Sequence, residues 1–408
     1  MNSSSQLKAS IESLEPARIV EAAQDSARWT PIDVAALASR LAGSGEQMHW
    51  LNTSVADIAS TGGPGSLSTL LAPLVLNARG AQIVKLGIPG RPAGAIDSFA
   101  TIPGYRVLLN SKDVRAVVAT CGFAHFLADE RFAPADAALY VYRKRVSAVA
   151  VPVLACASLL AKKLAVGVTR VGLDVRVGPH GNFGATLDEA RRSSSLFCDA
   201  ARHLGIDATA FVSPTHALPQ PWIGRGEALL ALARAIGLRP LEDDAWLREH
   251  ALQCRNMADT VLEPDLAPED RINDYLAETR AALEAHLEAQ GATVAAFLER
   301  IDSTASAPRV AICAPGEGWF GLDLARVRDA LISTRSHEIN DSFLDPAGIQ
   351  VVTPPGTYVS QYDELIRVRH SGPPQKADGL YEALRAAIQI SATAPRVVSP
   401  APLEIIRA

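Results

Sequence analysis

Val55-Ala-Asp-Ile-Ala-Ser-Thr-Gly-Gly-Pro-Gly-Ser66 sets a short apolar run, Val55 to Ala59, against a glycine-rich turn, Ser60 to Ser66. A helical pattern from Leu67 to Ala78 and a second strand-like run, Gln82 to Leu86, follow. Strand, turn, helix, strand is a βαβ unit, and it predicts a parallel sheet because the crossover helix carries the chain back to the sheet's starting end. The pattern recurs downstream. Ala116 to Ala119 reads as a strand, Val151 to Leu164 as a helix and Arg170 to Val177 as a strand. A second glycine-rich turn, Gly178 to Gly184, then opens a long helix, Thr186 to Leu204, whose first turn holds Asp188 and Glu189, where the helix dipole favours acids. Ala208 to Val212 is another strand, and residues 224–237 and 275–302 are helical by periodicity. Upstream, Thr30 and Pro31 read as the N-cap and first-turn proline of a helix. From Pro308 the texture changes to strands at Val310–Ile312, Gly348–Val352 and Glu364–Arg369, the last expected to be half exposed, with a closing helix over 376–389. No internal repeat is visible.

The chain has 408 residues, 48% hydrophobic and 20% charged, enough for two or three domains with a substantial core. A net charge of −5 with both signs mixed argues against a dedicated nucleic-acid binder, whose footprint is a basic face. It leaves room for a small anion held by a few placed cations. The five cysteines are far apart with no CxxC, so a reducing, cytoplasmic setting is expected and all five read as small buried hydrophobes. The N-terminus lacks the basic and apolar segments of a signal peptide, and no apolar run is long enough to span a membrane. The most apolar stretch, Val146 to Ala161, is bounded by Arg143–Lys144–Arg145 and Lys162–Lys163 and reads as a buried helix. No metal-ligand spacing is present, and no metal is expected.

The turn between strand and helix presents backbone N–H groups and the hydroxyls of Ser60, Thr61, Ser66, Ser68 and Thr69 to an anion. It is neither a Walker A loop nor GxGxxG. Its wider context is more specific. Asp57-Ile-Ala-Ser-Thr-Gly-Gly-Pro-Gly resembles the DKHSTGGVGD block of the thymidine and pyrimidine-nucleoside phosphorylases. Pro92-Ala-Gly-Ala-Ile-Asp and Ile102-Pro-Gly resemble HTGGTLD and IPG, and Ala133-Pro-Ala-Asp-Ala-Ala-Leu-Tyr resembles LAPADKRFY. Arg143 stands at the family's TRD arginine, Ser158-Leu-Leu-Ala-Lys-Lys-Leu-Ala resembles SILSKKLA, and Leu173-Asp-Val-Arg-Val-Gly resembles LDVKVG. These blocks run in order over residues 57 to 178, and the C-terminal third matches more loosely.

The resemblance implies an α/β fold with a small all-α domain, from 1–53 and 135–167, and a large α/β domain with a mixed central sheet, from 54–134 and 168–307. A β-rich C-terminal unit spans 308–408, and the substrate cleft lies between the first two domains. It implies phosphorolysis of a pyrimidine nucleoside to free base and pentose 1-phosphate by a homodimer, with inorganic phosphate as co-substrate and no other cofactor. It assigns Arg143, Ser158 and Lys162 to the base, with Arg143 and Lys162 catalytic because negative charge grows on the departing pyrimidine. Ser60, Thr69, Lys85 and Arg91 fall on the phosphate side, and His180 and Phe183 are candidate sugar or cleft contacts. The family's lysine and histidine before STGG are Ile58 and Ala59 here. That departure keeps open a hydrolase, a transferase with a non-phosphate acceptor and a non-catalytic pyrimidine-binding protein.

Overall fold

Three helices precede the first strand: α1 (Ser3–Ser13), α2 (Pro16–Ala23) and α3 (Pro31–Ala42). β1 (Val55–Ser60) leads through the glycine-rich turn into α4 (Ser68–Ala78) and β2 (Gln82–Gly87), followed by α5 (Ala95–Phe99), α6 (Ser111–Cys121) and β3 (Phe123–Leu127). A helical pair, α7 (Pro134–Arg145) and α8 (Pro152–Ala165), interrupts the alternation before β4 (Arg170–Val177), α9 (Leu187–His203) and β5 (Asp207–Pro214). After the short β6 (Trp222–Ile223) come α10 (Arg225–Ala235), α11 (Ala245–Leu262), α12 (Leu276–Ala289) and α13 (Val294–Ser306). The C-terminal unit holds β7 (Arg309–Cys313), β8 (Gly318–Leu322), α14 (Leu324–Ser333), β9 (Ala347–Val351), β10 (Tyr358–Val359), β11 (Glu364–His370), α15 (Pro374–Ala387) and β12 (Ile388–Ser391), and the chain closes on β13 (Glu404–Arg407). This computed structural model describes residues 3–51, 53–91, 94–178, 183–214, 218–241, 244–265, 275–334, 343–372, 374–394 and 404–408.

The main sheet has the order β13–β5–β4–β1–β2–β3, parallel throughout except for β13, which runs antiparallel to β5. The fold is therefore α/β with a mixed central sheet. Strand order reverses between β1 and β4, and in open α/β sheets the crevice at the carboxyl ends of such strands is where ligands bind. The ladder from β1 to β4 runs from Ala56↔Arg170 to Ser60↔Asp174. The ladder from β1 to β2 pairs only Val55↔Gln82 and Ala56↔Ile83, so the two strands part toward their carboxyl ends.

One face of the sheet buries Ala59, Val84, Leu173 and Val175 against α3, α8 and α9, through Leu37, Leu154, Leu160 and Phe197. The other face buries Ile58, Ile83 and Phe211 against Leu70, Leu229, Met257 and Leu283 of α4, α10, α11 and α12. Full burial of such side chains contributes about 1.5–3 kcal/mol each, which holds a helical layer on both faces. A third cluster, with Phe320, Ile349, Val351, Ile366 and Leu384, is the core of the C-terminal unit. Its sheets are β6–β9–β11–β7 and β10–β8–β12.

Local signals explain both agreement and correction. Thr30 caps α3 in a reciprocal box with Asp33, and Pro31 occupies the first turn, as its sequence predicts. Ala116–Ala119 is not a strand. It lies inside α6, which starts at a second such box, Asn110 with Asp113, and ends at Gly122 in the left-handed conformation (φ 76°). The strand comes next, at β3. The single helix expected over 275–302 is two, broken at Gly291 (φ 93°) and restarted by the Thr293 cap. β11 is less exposed than expected: it lies between β9 and β7 and buries Leu365, Ile366, Val368 and Arg369, with only Arg367 exposed. Cys156, Cys198 and Cys254 are buried as expected, whereas Cys313 is exposed on β7. No described helix is long and apolar enough to cross a membrane.

Gly172 in β4 lies close against Val261 of α11 and Ile58 of β1. A Cβ there would lie 2.8 Å from Val261 Cγ2 and closer still to Ile58 Cδ1. Gly172→Ala is expected to destabilise the protein by about 1–3 kcal/mol through overpacking. Adding Ile58→Val, which removes the clashing Cδ1, should restore part of that loss; urea unfolding of the single and double variants measures it.

Candidate active site

α8 is an apolar helix ending in two lysines. Consecutive positions on an α-helix are about 100° apart, so the two ammonium groups leave the helix in different directions. Lys162 turns toward α7. Its Nζ donates to Ser158 Oγ at 2.8 Å, one turn back, and to Asp136 Oδ2 at 2.5 Å. All three groups are buried. Burial lowers the Lys162 pKa below its usual range against the opposing pull of Asp136. Asp136 Oδ1 is also buried and has no partner among the described residues, a free acceptor beside Lys162 and Ser158. Asp136 sits in the first turn of α7, which starts after Ala133 in the left-handed region (φ 50°).

Arg143, near the end of α7, is 2% exposed. Its guanidinium donates to three carbonyls, Ala148 at 3.2 Å, Leu154 at 3.2 Å and Val149 at 2.5 Å. It therefore closes the α7–α8 connection, which contains Ser147 at φ 56°. Burial lowers its pKa, and the Asp136 charge pulls the other way. The structure thus brings Ser158 and Lys162 into one buried cluster with Asp136, which the sequence reading passed over although it lies in the Pro-Ala-Asp block, whereas the hydrogen bonds of Arg143 go to backbone carbonyls and not to that cluster.

Lys163 turns toward the sheet and donates to Asp57 Oδ2. Lys85 Nζ reaches the other oxygen, Asp57 Oδ1, at 2.7 Å and the Ile58 carbonyl at 2.5 Å, filling the gap where β1 and β2 part. Exposures are 0% for Asp57, 6% for Lys85 and 4% for Lys163. Two ammonium groups share one carboxylate, so the cluster carries surplus positive charge midway along β1 and β2, where the two strands begin to part. Burial alone would raise the Asp57 pKa, but Lys163 and Lys85 outweigh it and hold the carboxyl below its usual range. Burial lowers the Lys85 pKa, with Lys163 adding to the effect and Asp57 opposing it. Lys85 is thus a buried cation already paired with Asp57, and Lys163, which sequence spacing did not single out, shares that carboxylate.

The glycine-rich turn is held from below. Gly62, Gly63 and Gly65 take φ of 112°, 101° and 86°, which side-chain-bearing residues rarely adopt. Ser66 and Ser68 donate to Asp174 Oδ2 at 2.9 and 2.7 Å, and Thr61 Oγ1 accepts from the Arg176 amide at 2.9 Å. The hydroxyls of Ser66 and Ser68 are therefore committed to β4, a correction to their reading as anion donors. Ser60 Oγ accepts from the Gly62 amide at 3.3 Å, and Thr69 is half buried in the first turn of α4. Arg91 is exposed on the loop after β2. Phe183 is fully buried edge-on against Phe197 of α9, which places its ring in the core rather than in a cleft. His180 lies outside the described residues. Among those residues no group of acids, histidines and cysteines has metal-site geometry. Two cavities, of about 420 Å³ beside Arg300 and Asp345 and about 640 Å³ beside Arg239 and Arg248, lie away from both clusters.

The parallel sheet thus meets one lysine–carboxylate cluster, at Asp57, and α8 joins it to a second, at Asp136. Residues 52–173 match the glycosyl transferase family a/b domain. The thymidine phosphorylase of Agrobacterium fabrum is 34% identical over 191 residues, covering 44% of this chain and 42% of that protein. The thymidine phosphorylase of Burkholderia lata is 31% identical over 188 residues, with the same coverages. The chain resembles the thymidine phosphorylases over a region that spans less than half the length of each. Anthranilate phosphoribosyltransferase from Thermus thermophilus superposes with a TM-score of 0.49 at 15% identity, over 74% of this chain and 94% of that one.

The Asp57 cluster makes a pH prediction. A carboxyl whose folded pKa lies below the unfolded value stabilises the fold fully above the unfolded value, here 3.8, and loses that contribution as pH falls through the folded value. Thermal melting from pH 6 downward should show stability falling below about pH 4, and Asp57→Asn should flatten that fall. An unchanged acid slope in the variant would show that Asp57 does not supply it.

Proposed function

We propose that the protein is a pentosyltransferase that cleaves the N-glycosidic bond of a pyrimidine nucleoside with inorganic phosphate, releasing free base and pentose 1-phosphate. The observation that carries this reading is the pair of clusters on α8. Lys162 with Ser158 and Asp136 forms one polar station, Lys163 with Asp57 and Lys85 forms the other, and one rigid helix fixes their spacing.

In the reaction, a phosphate oxygen attacks the anomeric carbon of the pentose. The new C–O bond forms as the C–N bond breaks, and its electron pair passes to the pyrimidine. Lys162, with its proton loosened by burial, stabilises the growing charge on the base and holds the proton that the departing ring can take. Ser158 and the free Asp136 Oδ1 supply an acceptor edge for a ring N–H. Arg143 keeps the α7–α8 connection in place and contributes its charge to the same side. On the acceptor side, the surplus charge of the Asp57 cluster favours an anion near the Ser60–Gly65 turn, with Arg91 and Thr69 as further donors. A charge-assisted contact of this kind is worth about 1.5–3 kcal/mol. A homodimer is proposed from the relatives' family alone.

A second reading has one observation behind it. Position 58 is isoleucine, and Lys85 already spends two donors on Asp57 and the Ile58 carbonyl. An acceptor other than phosphate, water included, follows if the remaining charge is too weak to hold a dianion.

Incubation with uridine, thymidine and deoxyuridine, with and without phosphate, separates these readings. Phosphate-dependent release of free base is the expected outcome, and Lys162→Met should lower kcat/KM by roughly 10²–10³. Release that ignores phosphate would favour hydrolysis, and binding without release would contradict the enzyme reading.

A further inference from the structure

The first turn of α10 lies far in sequence from either cluster, yet each of its residues grips another part of the molecule. Arg225 is 1% exposed and donates through Nη2 to Asp97 Oδ1 at 2.7 Å and through Nη1 to the Leu344 carbonyl of the C-terminal unit at 2.7 Å. The Gly226 amide donates to Asp345 Oδ2 at 3.1 Å. Glu227, 0% exposed, receives Arg369 of β11 through two bonds of 2.7 Å each. The Glu227 carboxylate occupies space that only glycine leaves free: a Cβ at Gly348 would collide with it. These bonds fix the C-terminal unit on α10.

Asp97 carries the connection further. Its side chain is fully buried at the start of α5, and besides Arg225 it accepts from the Gly90 amide at 2.8 Å and the Arg91 amide at 3.1 Å. Gly94 makes this possible, because a Cβ there would lie 2.6 Å from Asp97 Oδ2. One carboxylate thus holds two backbone N–H groups of the loop that follows β2, the loop that carries Arg91. Burying a carboxylate is costly unless it is paired, and the Arg225 guanidinium gives the fully buried Asp97 a charged partner.

We infer that Arg225 is a positioning residue for the acceptor side of the site. Anchored on Leu344, it sets Asp97, and Asp97 sets the Gly90–Arg91 backbone and with it the direction of the Arg91 guanidinium. The C-terminal unit then has a function beyond its own packing: it supplies the fixed point from which the anion-side loop is held. This inference rests on the reading of Arg91 as an acceptor-side residue. It goes beyond that reading in assigning control of the loop to a buried ion pair and a carbonyl of another structural unit.

The test uses the full-length protein with Arg225→Gln, which removes the charge, and Arg225→Lys, which keeps the charge but reaches with a single nitrogen. Amide hydrogen exchange at Gly90 and Arg91 reports the loop without requiring activity. Exchange there should speed up about 10-fold or more in Arg225→Gln and less in Arg225→Lys, while β1 and β4 amides stay protected. In the phosphorolysis assay the KM for inorganic phosphate should rise about 10-fold with the nucleoside KM unchanged, since one charge-assisted contact is loosened on one side only. Unchanged exchange at Gly90 and Arg91 in both variants overturns the link to the loop. Faster exchange with an unchanged phosphate KM overturns its role in positioning. A wild-type enzyme that ignores phosphate instead contradicts the proposed function and removes the acceptor role of Arg91, whatever the exchange data show. If Arg225→Gln does not fold, the exchange and KM values of Arg225→Lys decide.

Discussion

One buried carboxylate, Asp57, organises this protein. It lies at the middle of β1, fully removed from solvent, and receives an ammonium from β2 and another from α8. Burying charge is expensive unless it is paired and hydrogen-bonded, and the arrangement meets that demand for the carboxylate while leaving one positive charge in excess. Three elements are tied at that point: the strand that leads into the glycine-rich turn, the neighbouring strand that parts from it, and the helix that carries Lys162 and Lys163. Hydrophobic burial holds the same elements with far more total energy, but it would tolerate a small slide of α8. The ion pairs fix its position along the sheet.

That constraint also bears on why two lysine–carboxylate clusters sit on one helix. Lys162 and Lys163 are sequence neighbours, and their divergence around the helix sends one to Asp136 and the other to Asp57. Each ammonium is spoken for by a carboxylate, so neither moves freely, and the site is preorganised rather than assembled around a ligand. The glycine-rich turn follows the same logic. Its serines bond to Asp174 on β4, Gln220 holds the Gly65 carbonyl at 2.7 Å, and the Leu67 amide rests on His250 at 2.9 Å. Burial lowers the His250 pKa to about 4, so at neutral pH it is an uncharged acceptor.

How much of this was legible in the sequence depended on the range of the interaction. The βαβ order, the Thr30 cap and the long α9 were readable because caps, turns and periodicity are local. Ala116–Ala119 misled because two valines between alanines fit a strand as well as a helix, and the deciding signals, Asn110 and Gly122, lie outside that run. Ser158 and Lys162 were found through the resemblance and through their four-residue spacing. Asp136, Lys163 and the committed state of Lys85, Ser66 and Ser68 were not, because each depends on a partner 26 to 108 residues away. Nothing in a single sequence marks which carboxylate a lysine will meet. The return of β13 to pair with β5 is of the same kind: four residues with no distinctive pattern find their place only because the edge of the sheet is open to them.

The account's central claim is that one carboxylate serves two ammonium groups. A double-mutant cycle in urea with Asp57→Asn, Lys163→Met and the double variant tests it. Asp57→Asn should cost about 3–5 kcal/mol, because it strands two buried charges. Lys163→Met should cost clearly less, because Asp57 keeps Lys85, and the pair should couple by roughly 0.5–3 kcal/mol. Equal costs for the two single variants, with strict additivity in the double, would contradict it.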